Sequence, residues 1–436
     1  MSDYAEKAWY KLDNAAKIFP PTSSESDTKV FRLCCELYEE INEKFLQSAL
    51  DRAIENFPSF RCVLKRGMFW YYLEQSDIRP IVKKEEAPPC SKIYLQRRSL
   101  LFDVTWYGKR INFEAYHSLT DGTGALQFLR VLVLYYLKLA HPNKMKDVAE
   151  LDFDGSDTQK AKDSFDKYYN REKGSSKSQN IVAYRIKGMR EAEYRLNVIE
   201  GRVSVQEMLS KSREYDTTAT VLIIALFIRA IHAEMNVRDM RKPVVIAVPV
   251  NLRNFFDSKS TRNFFGLINI QYDFSNNQNN QAALEDILNT VKKGLDENLN
   301  QEYLQIRLNK LIKFERNFLI RIVPLTIKNI VMNFATFLAE RGVTAAVSNI
   351  GKIAMPDEAK SHIKLFNVFT ATKRIQMCIC SYQDNMMISI TSPFVSKDIQ
   401  CNFFRQLTDM GLTVEISAND LKGTRELKGT KGNSKK

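Results

Sequence analysis

An α/β protein built from two subdomains is the fold class that the sequence predicts, on three observations. The chain has 436 residues, longer than the roughly 250–300 residues at which a single hydrophobic core stops growing. Runs with strand-like alternation and runs with helical periodicity are intermixed along both halves. Between the halves, residues 142–180 are rich in Lys, Asp, Ser and Asn, with little apolar pattern beyond Phe165, Tyr168 and Tyr169. The expected organisation is therefore one subdomain at 1–145, a charged linker at 146–180, a second subdomain at 181–420 and a tail at 421–436.

In the first half, Ile41, Phe45, Leu46, Ala49, Leu50, Ala53 and Ile54 form a helical stripe within 36–57 that stops at Phe57-Pro58. Short β-like runs at Phe60–Leu64, Met68–Leu73, Leu100–Trp106 and Lys109–Tyr116 read as strands, with Gly108 turning the last two into a hairpin. A strongly apolar helix is expected from Gly122 to Leu139. In the second half, strands are expected at Ile181–Ile186, Glu193–Ile199, Val244–Leu252, Phe264–Phe274, Thr344–Asn349, Leu365–Thr372, Ile375–Tyr382 and Met386–Ser392. Helices are expected near Val205–Ser212, from an N-cap at Thr217-Thr218 to about Met235, at about 280–314 and 318–340, and over Lys397–Met410.

Composition excludes several classes. An apolar fraction of 44% with 26% charged residues is ordinary for a soluble chain. The first twenty residues hold no apolar h-region, so a cytoplasmic protein without a secretory leader is expected. Val221–Ile231 is too short to span a bilayer, and Phe318–Leu338 is interrupted by Arg321, Pro324 and Lys328. The latter reads as an amphipathic or buried helix, with peripheral membrane contact left open. Seven cysteines, with Cys34-Cys35 adjacent and Cys378-x-Cys380 alternating, show neither disulfide nor zinc spacing, so reduced thiols and no metal are expected. The formal charge is +13, but Lys422–Lys436 alone holds six Lys/Arg against one Glu in a Gly/Ser-rich context, which reads as a disordered end. The remaining excess is compatible with an anionic cosubstrate, and no nucleic-acid motif accompanies it.

One constellation carries chemistry. His117 ends the alternating run Ile111, Phe113, Ala115 and precedes the helix that starts at Gly122. A strand-to-helix junction fixes a side chain on a rigid scaffold while letting it face a cleft. A neutral imidazole accepts a hydroxyl proton at neutral pH, and it needs neither metal nor covalent intermediate if the electrophile is an already activated thioester. Asp121 either orients the histidine as in a triad or turns away into a buried salt bridge that locks the turn. Gly122 and Gly124 remove side chains where the backbone turns tightly or approaches a ligand. His141 before Pro142 reads as a helix-end residue, His232 as a helix-core residue and His362 as part of a polar turn.

The run His117-Ser118-Leu119-Thr120-Asp121-Gly122 resembles the His-x-x-x-Asp-Gly motif of the coenzyme A-dependent acyltransferase superfamily, the chloramphenicol acetyltransferase-like enzymes. Other passages are similar to that superfamily too: Phe57-Pro58-Ser59-Phe60-Arg61, Val248-Pro249-Val250-Asn251-Leu252-Arg253 with Arg262-Asn263-Phe264-Phe265-Gly266, and Val347-Ser348-Asn349-Ile350-Gly351. The resemblance spans roughly 1–415 and is nearest to the bacterial alcohol acetyltransferase-like branch. It implies two α/β sandwich subdomains with an active-site tunnel between them and His117 midway. It also implies a structural Asp121 paired with an arginine, for which Arg253 is the candidate. Ser348 and Asn349 are read either as a strand-end turn, the default, or as donors to an oxyanion.

The activity expected from the resemblance is transfer of an acyl group, acetyl in the first instance, from acyl-coenzyme A as cosubstrate to a small alcohol or amine. No permanently bound cofactor is expected, and the oligomeric state is left open. The Asp-Phe-Gly-Trp-Gly motif of the plant branch is absent, and Tyr116 stands where condensation domains carry a second histidine. Two rivals remain. One is a condensation-like enzyme drawing its donor from a carrier protein; the other is a non-catalytic protein holding an apolar ligand on the same scaffold.

Overall fold

The computed structural model describes residues 8–93, 99–151, 163–170, 181–276, 283–317 and 321–419. The expected tail at 421–436 and most of the expected linker lie outside these residues.

The strands in chain order are β1 (Trp9–Lys11), β2 (Val30–Leu37), β3 (Cys62–Arg66), β4 (Tyr71–Gln75), β5 (Lys83–Lys84), β6 (Phe102–Tyr107), β7 (Arg110–Tyr116) and β8 (Asn197–Ser204). They continue with β9 (Val244–Asn251), β10 (Phe265–Tyr272), β11 (Ala345–Lys352), β12 (Ile363–Thr370), β13 (Gln376–Tyr382), β14 (Asn385–Ser392) and β15 (Glu415–Ala418). Two main sheets result. A five-stranded sheet runs β12-β2-β7-β6-β5, and a seven-stranded sheet runs β10-β9-β11-β13-β14-β8-β15. A small sheet, β1-β4-β3, lies beside the first.

Each main sheet has its own core. In the first, the helix Gly122–Ala140 turns Phe128 into a cluster of Phe57, Phe60, Phe102 and Phe113, with ring centroids 4.8–5.5 Å from Phe128. That helix has the length and hydropathy of a membrane span, yet most of its apolar residues are packed inside the protein. In the second core the helix Ala219–His232 is buried almost all round. Its N-cap is Thr218, whose hydroxyl accepts the Val221 amide.

The sheets are not separable at one point in the chain. β12 lies far along the second half, yet it pairs antiparallel with β2, from Ile363↔Leu37 to Thr370↔Phe31. The first-half sheet is thereby completed by a strand that leaves and re-enters between β11 and β13 of the other sheet.

Most expected elements occur within a few residues of their expected bounds, and four do not, among them the expected 318–340 helix, which runs only over Leu325–Glu340 because Pro324 stands at its N-cap. β2 was not foreseen and overlaps the start of the expected 36–57 helix, which begins only at Glu43, capped by Asn42. Ile181–Ile186 forms no strand; its amides at Ala183 and Tyr184 bond instead to Arg341 O and Pro243 O. The expected 280–314 helix is two helices, Leu284–Asn298 and Gln301–Arg316, because Asn300 Oδ1 accepts the Tyr303 amide and starts the second afresh. The hairpin at Gly108 forms as expected, with φ +54° at the glycine.

Six of the seven cysteines are buried free thiols. Burial pushes the Cys34, Cys62 and Cys378 thiols up to about 12, so they act as small apolar residues.

Phe128→Ala is expected to lower unfolding free energy by about 3–5 kcal/mol. Urea denaturation should show this as a lower midpoint at little changed slope.

Candidate functional site

His117 follows directly on β7, which is held between β2 and β6. Its amide donates to Lys29 O across the β2 end, and its carbonyl accepts the Asn263 side-chain amide at 2.9 Å. The ring packs between Phe31, with centroids 4.4 Å apart, and Phe19, stacked at 5.0 Å. Nδ1 is enclosed without a hydrogen-bond partner, whereas Nε2 is not enclosed. The accessible edge of the imidazole is therefore Nε2, and it faces a cavity of about 1100 Å³.

Both main sheets contribute to that cavity. His117 and Gly122 line one side, Val248 to Asn251 of β9 and Ser348 to Gly351 of β11 the other, and Val368 to Thr370 of β12 close it. Burial lowers the His117 proton affinity to about 4. The Asp121 carboxylate opposes that shift and the Lys29 ammonium adds to it. The Thr120 backbone also favours the charged ring. The imidazole is thus neutral at physiological pH.

Asp121 faces away from that chemistry. It is the N-cap of the Gly122–Ala140 helix, with Oδ1 accepting the Gly124 amide at 3.0 Å. Oδ2 accepts Arg253 Nη1 at 2.8 Å and the Phe264 amide at 2.8 Å. Arg253 in turn donates to Ser260 O and Arg262 O. The structure thus brings Asp121 and Arg253 together as a buried pair, with 7% and 9% side-chain exposure. No hydrogen bond joins Asp121 to the His117 ring.

The two glycines have separate reasons. A Cβ on Gly124 would stand 2.0 Å from Thr261 O, a backbone atom that cannot retreat because Thr120 Oγ1 donates to it at 2.6 Å. A Cβ on Gly122 would meet Ile350 Cδ1 at 2.8 Å, on the opposite cavity wall.

Ser348 and Asn349 both reach the cavity, but differently. The Asn349 amide donates to Thr220 Oγ1 at 2.9 Å, and its Oδ1 accepts the Gly351 amide at 2.8 Å. Asn349 thereby shapes a bulge in β11, where Gly351 takes φ +83°. Ser348 is half-buried on the same wall.

The fold arrangement has clear counterparts among solved structures. The trichothecene 15-O-acetyltransferase TRI3 from Fusarium sporotrichioides is similar at TM-score 0.62 and 11% identity, covering 94% of this chain and 96% of that one. Polyketide synthase associated protein 5 from Mycobacterium tuberculosis gives TM-score 0.61 at 13% identity, over 91% and 96%. The first condensation domain of the calcium-dependent antibiotic synthetase gives 0.59 at 11%, over 92% and 95%. This is the chloramphenicol acetyltransferase-like fold. No family model matches the chain, and no curated protein matches it by sequence.

Within this chloramphenicol acetyltransferase-like frame, three contributors to the site had no role assigned from the sequence. Phe19 and Phe31 clamp the His117 ring, and nothing in their local pattern announces it. Asn263 ties the His117 carbonyl to the buried Asp13 carboxylate, bonding Asp13 Oδ2 at 3.1 Å. Among the described residues, metal-ligand chemistry gathers only at Glu39, His141 and His362, whose ligand atoms lie within 4.8 Å of one another. None of these lines the cavity, and the two imidazoles stack with centroids 3.9 Å apart, so their ring planes are close to parallel.

Asp121→Asn leaves the Arg253 guanidinium buried without its counter-charge, and about 3–5 kcal/mol of stability should be lost. Thermal unfolding of Asp121→Asn against wild type measures it. A normal melting temperature would show that the pair is not what holds the turn.

Proposed function

We propose that the protein is an acyltransferase that moves an acyl group from a coenzyme A thioester to the hydroxyl or amine of a small acceptor, with His117 as general base. The observation that carries this reading is the neutral, cavity-facing Nε2 of His117, set between walls drawn from both sheets. A cavity of about 1100 Å³ has room for an acyl-pantetheine arm and an acceptor together. Similarity to TRI101, a fold neighbour crystallised with coenzyme A and T-2, supports the choice of donor.

The chemistry follows from the geometry. The acceptor O–H or N–H gives its proton to Nε2 as its lone pair attacks the thioester carbonyl. The tetrahedral oxyanion then collapses, the C–S bond breaks, and the departing thiolate takes the proton from the imidazolium. Enclosure disfavours the imidazolium, so proton transfer to Nε2 is tightly coupled to bond formation. Asp121 contributes its field and the rigidity of the turn, while its oxygens remain committed to Arg253, Gly124 and Phe264. Ser348 Oγ is the candidate donor to the oxyanion. Asn349 is spent on Thr220 and the bulge.

The condensation-domain neighbours favour one second reading, in which a carrier protein presents the acyl group. Turnover with free acyl-coenzyme A separates the two.

Thiol release from a panel of acyl-coenzyme A donors and alcohols should proceed with wild type, and His117→Ala should reduce kcat by about a hundredfold to ten-thousandfold. If no combination exceeds the variant, the acyl-transfer reading fails.

A second expectation concerns pH. Only neutral His117 is a base, and burial places its protonation near 4. The acid limb of kcat/KM should therefore lie well below the free-imidazole value of about 6.5, with the profile flat from neutrality down to about pH 5.5. An acid limb at 6.5 or above would contradict the enclosed geometry. Stability moves in the same direction. The unfolded chain protonates His117 below about 6.5 while the folded chain resists, so this contribution is present above that pH and is lost as pH falls toward 4.

A further inference from the structure

The helix Leu325–Glu340 is mounted inside out. Its buried residues are Leu325 and Lys328. Lys328 is 5% exposed, donates to Phe69 O at 3.0 Å and Arg321 O at 3.2 Å, and lies 3.6 Å from the Trp70 ring centroid. Asn329 donates to Tyr71 Oη at 3.0 Å. The polar side of this helix therefore faces the protein. Its apolar side, Ile327, Ile330, Val331, Phe334, Phe337 and Leu338, faces solvent, with Ile330 and Phe334 exposed by 66% and 63%.

The patch extends beyond the helix. The Leu325 amide donates to Met68 O, which brings the exposed Met68 and Phe69 of the β3–β4 turn against the helix start. Contiguous apolar area of this extent on a soluble protein marks a surface that meets something apolar. Chance does not readily produce it, because the spacing 327, 330, 331, 334, 337, 338 follows a single helical face.

We infer that this face docks on an anionic lipid surface, with the helix lying in the plane of the interface. Charge complementarity selects that occupant. The apolar face itself carries no charge, and three arginines stand around it: Arg321 precedes the helix, Arg341 is its C-cap, and Arg66 Nη2 donates to Thr326 Oγ1 at 3.1 Å, while the one carboxylate at the helix end, Glu340, lies 3.9 Å from Arg374. All three arginines are exposed. An apolar stripe of Ile, Val, Phe and Leu with basic residues at its edges is the pattern of an interfacial helix, in which apolar insertion and attraction to anionic headgroups act together. The inference is independent of acyl transfer, although the Phe19–Thr22 turn, which packs against this helix, is the turn that stacks Phe19 on His117.

Co-sedimentation of the full chain with vesicles tests it. Wild type should bind phosphatidylcholine vesicles containing about one-third phosphatidylglycerol, should bind pure phosphatidylcholine more weakly, and should lose affinity as salt rises. Phe334→Asp with Phe337→Asp should cut the vesicle partition coefficient at least about tenfold, since it puts two charges on the inserted face. Both side chains are exposed, and an unchanged circular dichroism spectrum and gel-filtration volume would show that the variant folds. Arg321→Glu with Arg341→Glu should weaken binding to anionic vesicles several-fold and leave binding to pure phosphatidylcholine unchanged. Absence of wild-type binding to anionic vesicles, or equal binding by the Phe334/Phe337 variant, overturns the inference. So does a wild-type dimer that this variant converts to monomer, which would assign the face to a second copy of the chain.

Discussion

The ion pair between Asp121 and Arg253 joins two parts of the molecule that share no sheet. Asp121 caps the helix that follows β7 in the five-stranded sheet, and Arg253 follows β9 in the seven-stranded one. Breaking the pair would leave a buried charge, and its two ends also organise backbone: Gly124 and Phe264 amides on one side, Ser260 and Arg262 carbonyls on the other. The turn that follows His117 is thereby tied to the end of β9, whose residues Val248 to Asn251 line the cavity. The arrangement also bears on what an aspartate four residues after a histidine can do. A carboxylate whose oxygens are taken by an arginine and two amides has no geometry left for orienting the imidazole.

His117 is consequently positioned by packing and backbone rather than by a carboxylate. Two phenylalanine rings fix its plane, and Lys29 O and Asn263 fix its main chain from opposite sheets. Enclosure has a cost, because an imidazole with a proton affinity near 4 is a weaker base than a free one. It also has a benefit: the ring stays unprotonated across the physiological range and is available in every encounter. The acyl transfer proposed above would suit this balance, since a leaving thiolate would reclaim the proton from a transient imidazolium.

The sequence revealed the alternation of β7 and the apolar run of Gly122–Ala140, and with them the placement of His117 at a strand-to-helix junction. It also offered Arg253 as the partner of Asp121, through motif resemblance rather than any periodicity. Other elements were hidden for physical reasons. β2 is an interior strand of its sheet, and Val30 through Cys35 are all buried, so it shows no alternation to read. The break at Leu299-Asn300 depends on one capping side chain inside an otherwise continuous helical pattern. The crossing of β12 into the first sheet is a matter of topology, and no local residue pattern encodes which sheet a buried strand joins. Phe31 reaches His117 through the pairing of β2 with β7, and Phe19 through the packing of its turn, neither of which a local pattern shows.

Helix 325–340 illustrates the same limit from the other direction. Periodicity shows that one face is apolar and one polar, but it carries no sign that says which face points inward. The usual assumption seats the apolar face on the core, and here the anchors are instead Lys328 against Trp70 and the Phe69 carbonyl, with Asn329 on Tyr71. Burying an ammonium while exposing two phenylalanines is unfavourable for an isolated chain in water on both counts. The arrangement becomes favourable once the apolar face is removed from water. The helix is therefore best understood as half of an interface, and the Phe19–Thr22 turn connects that interface to the imidazole by direct packing.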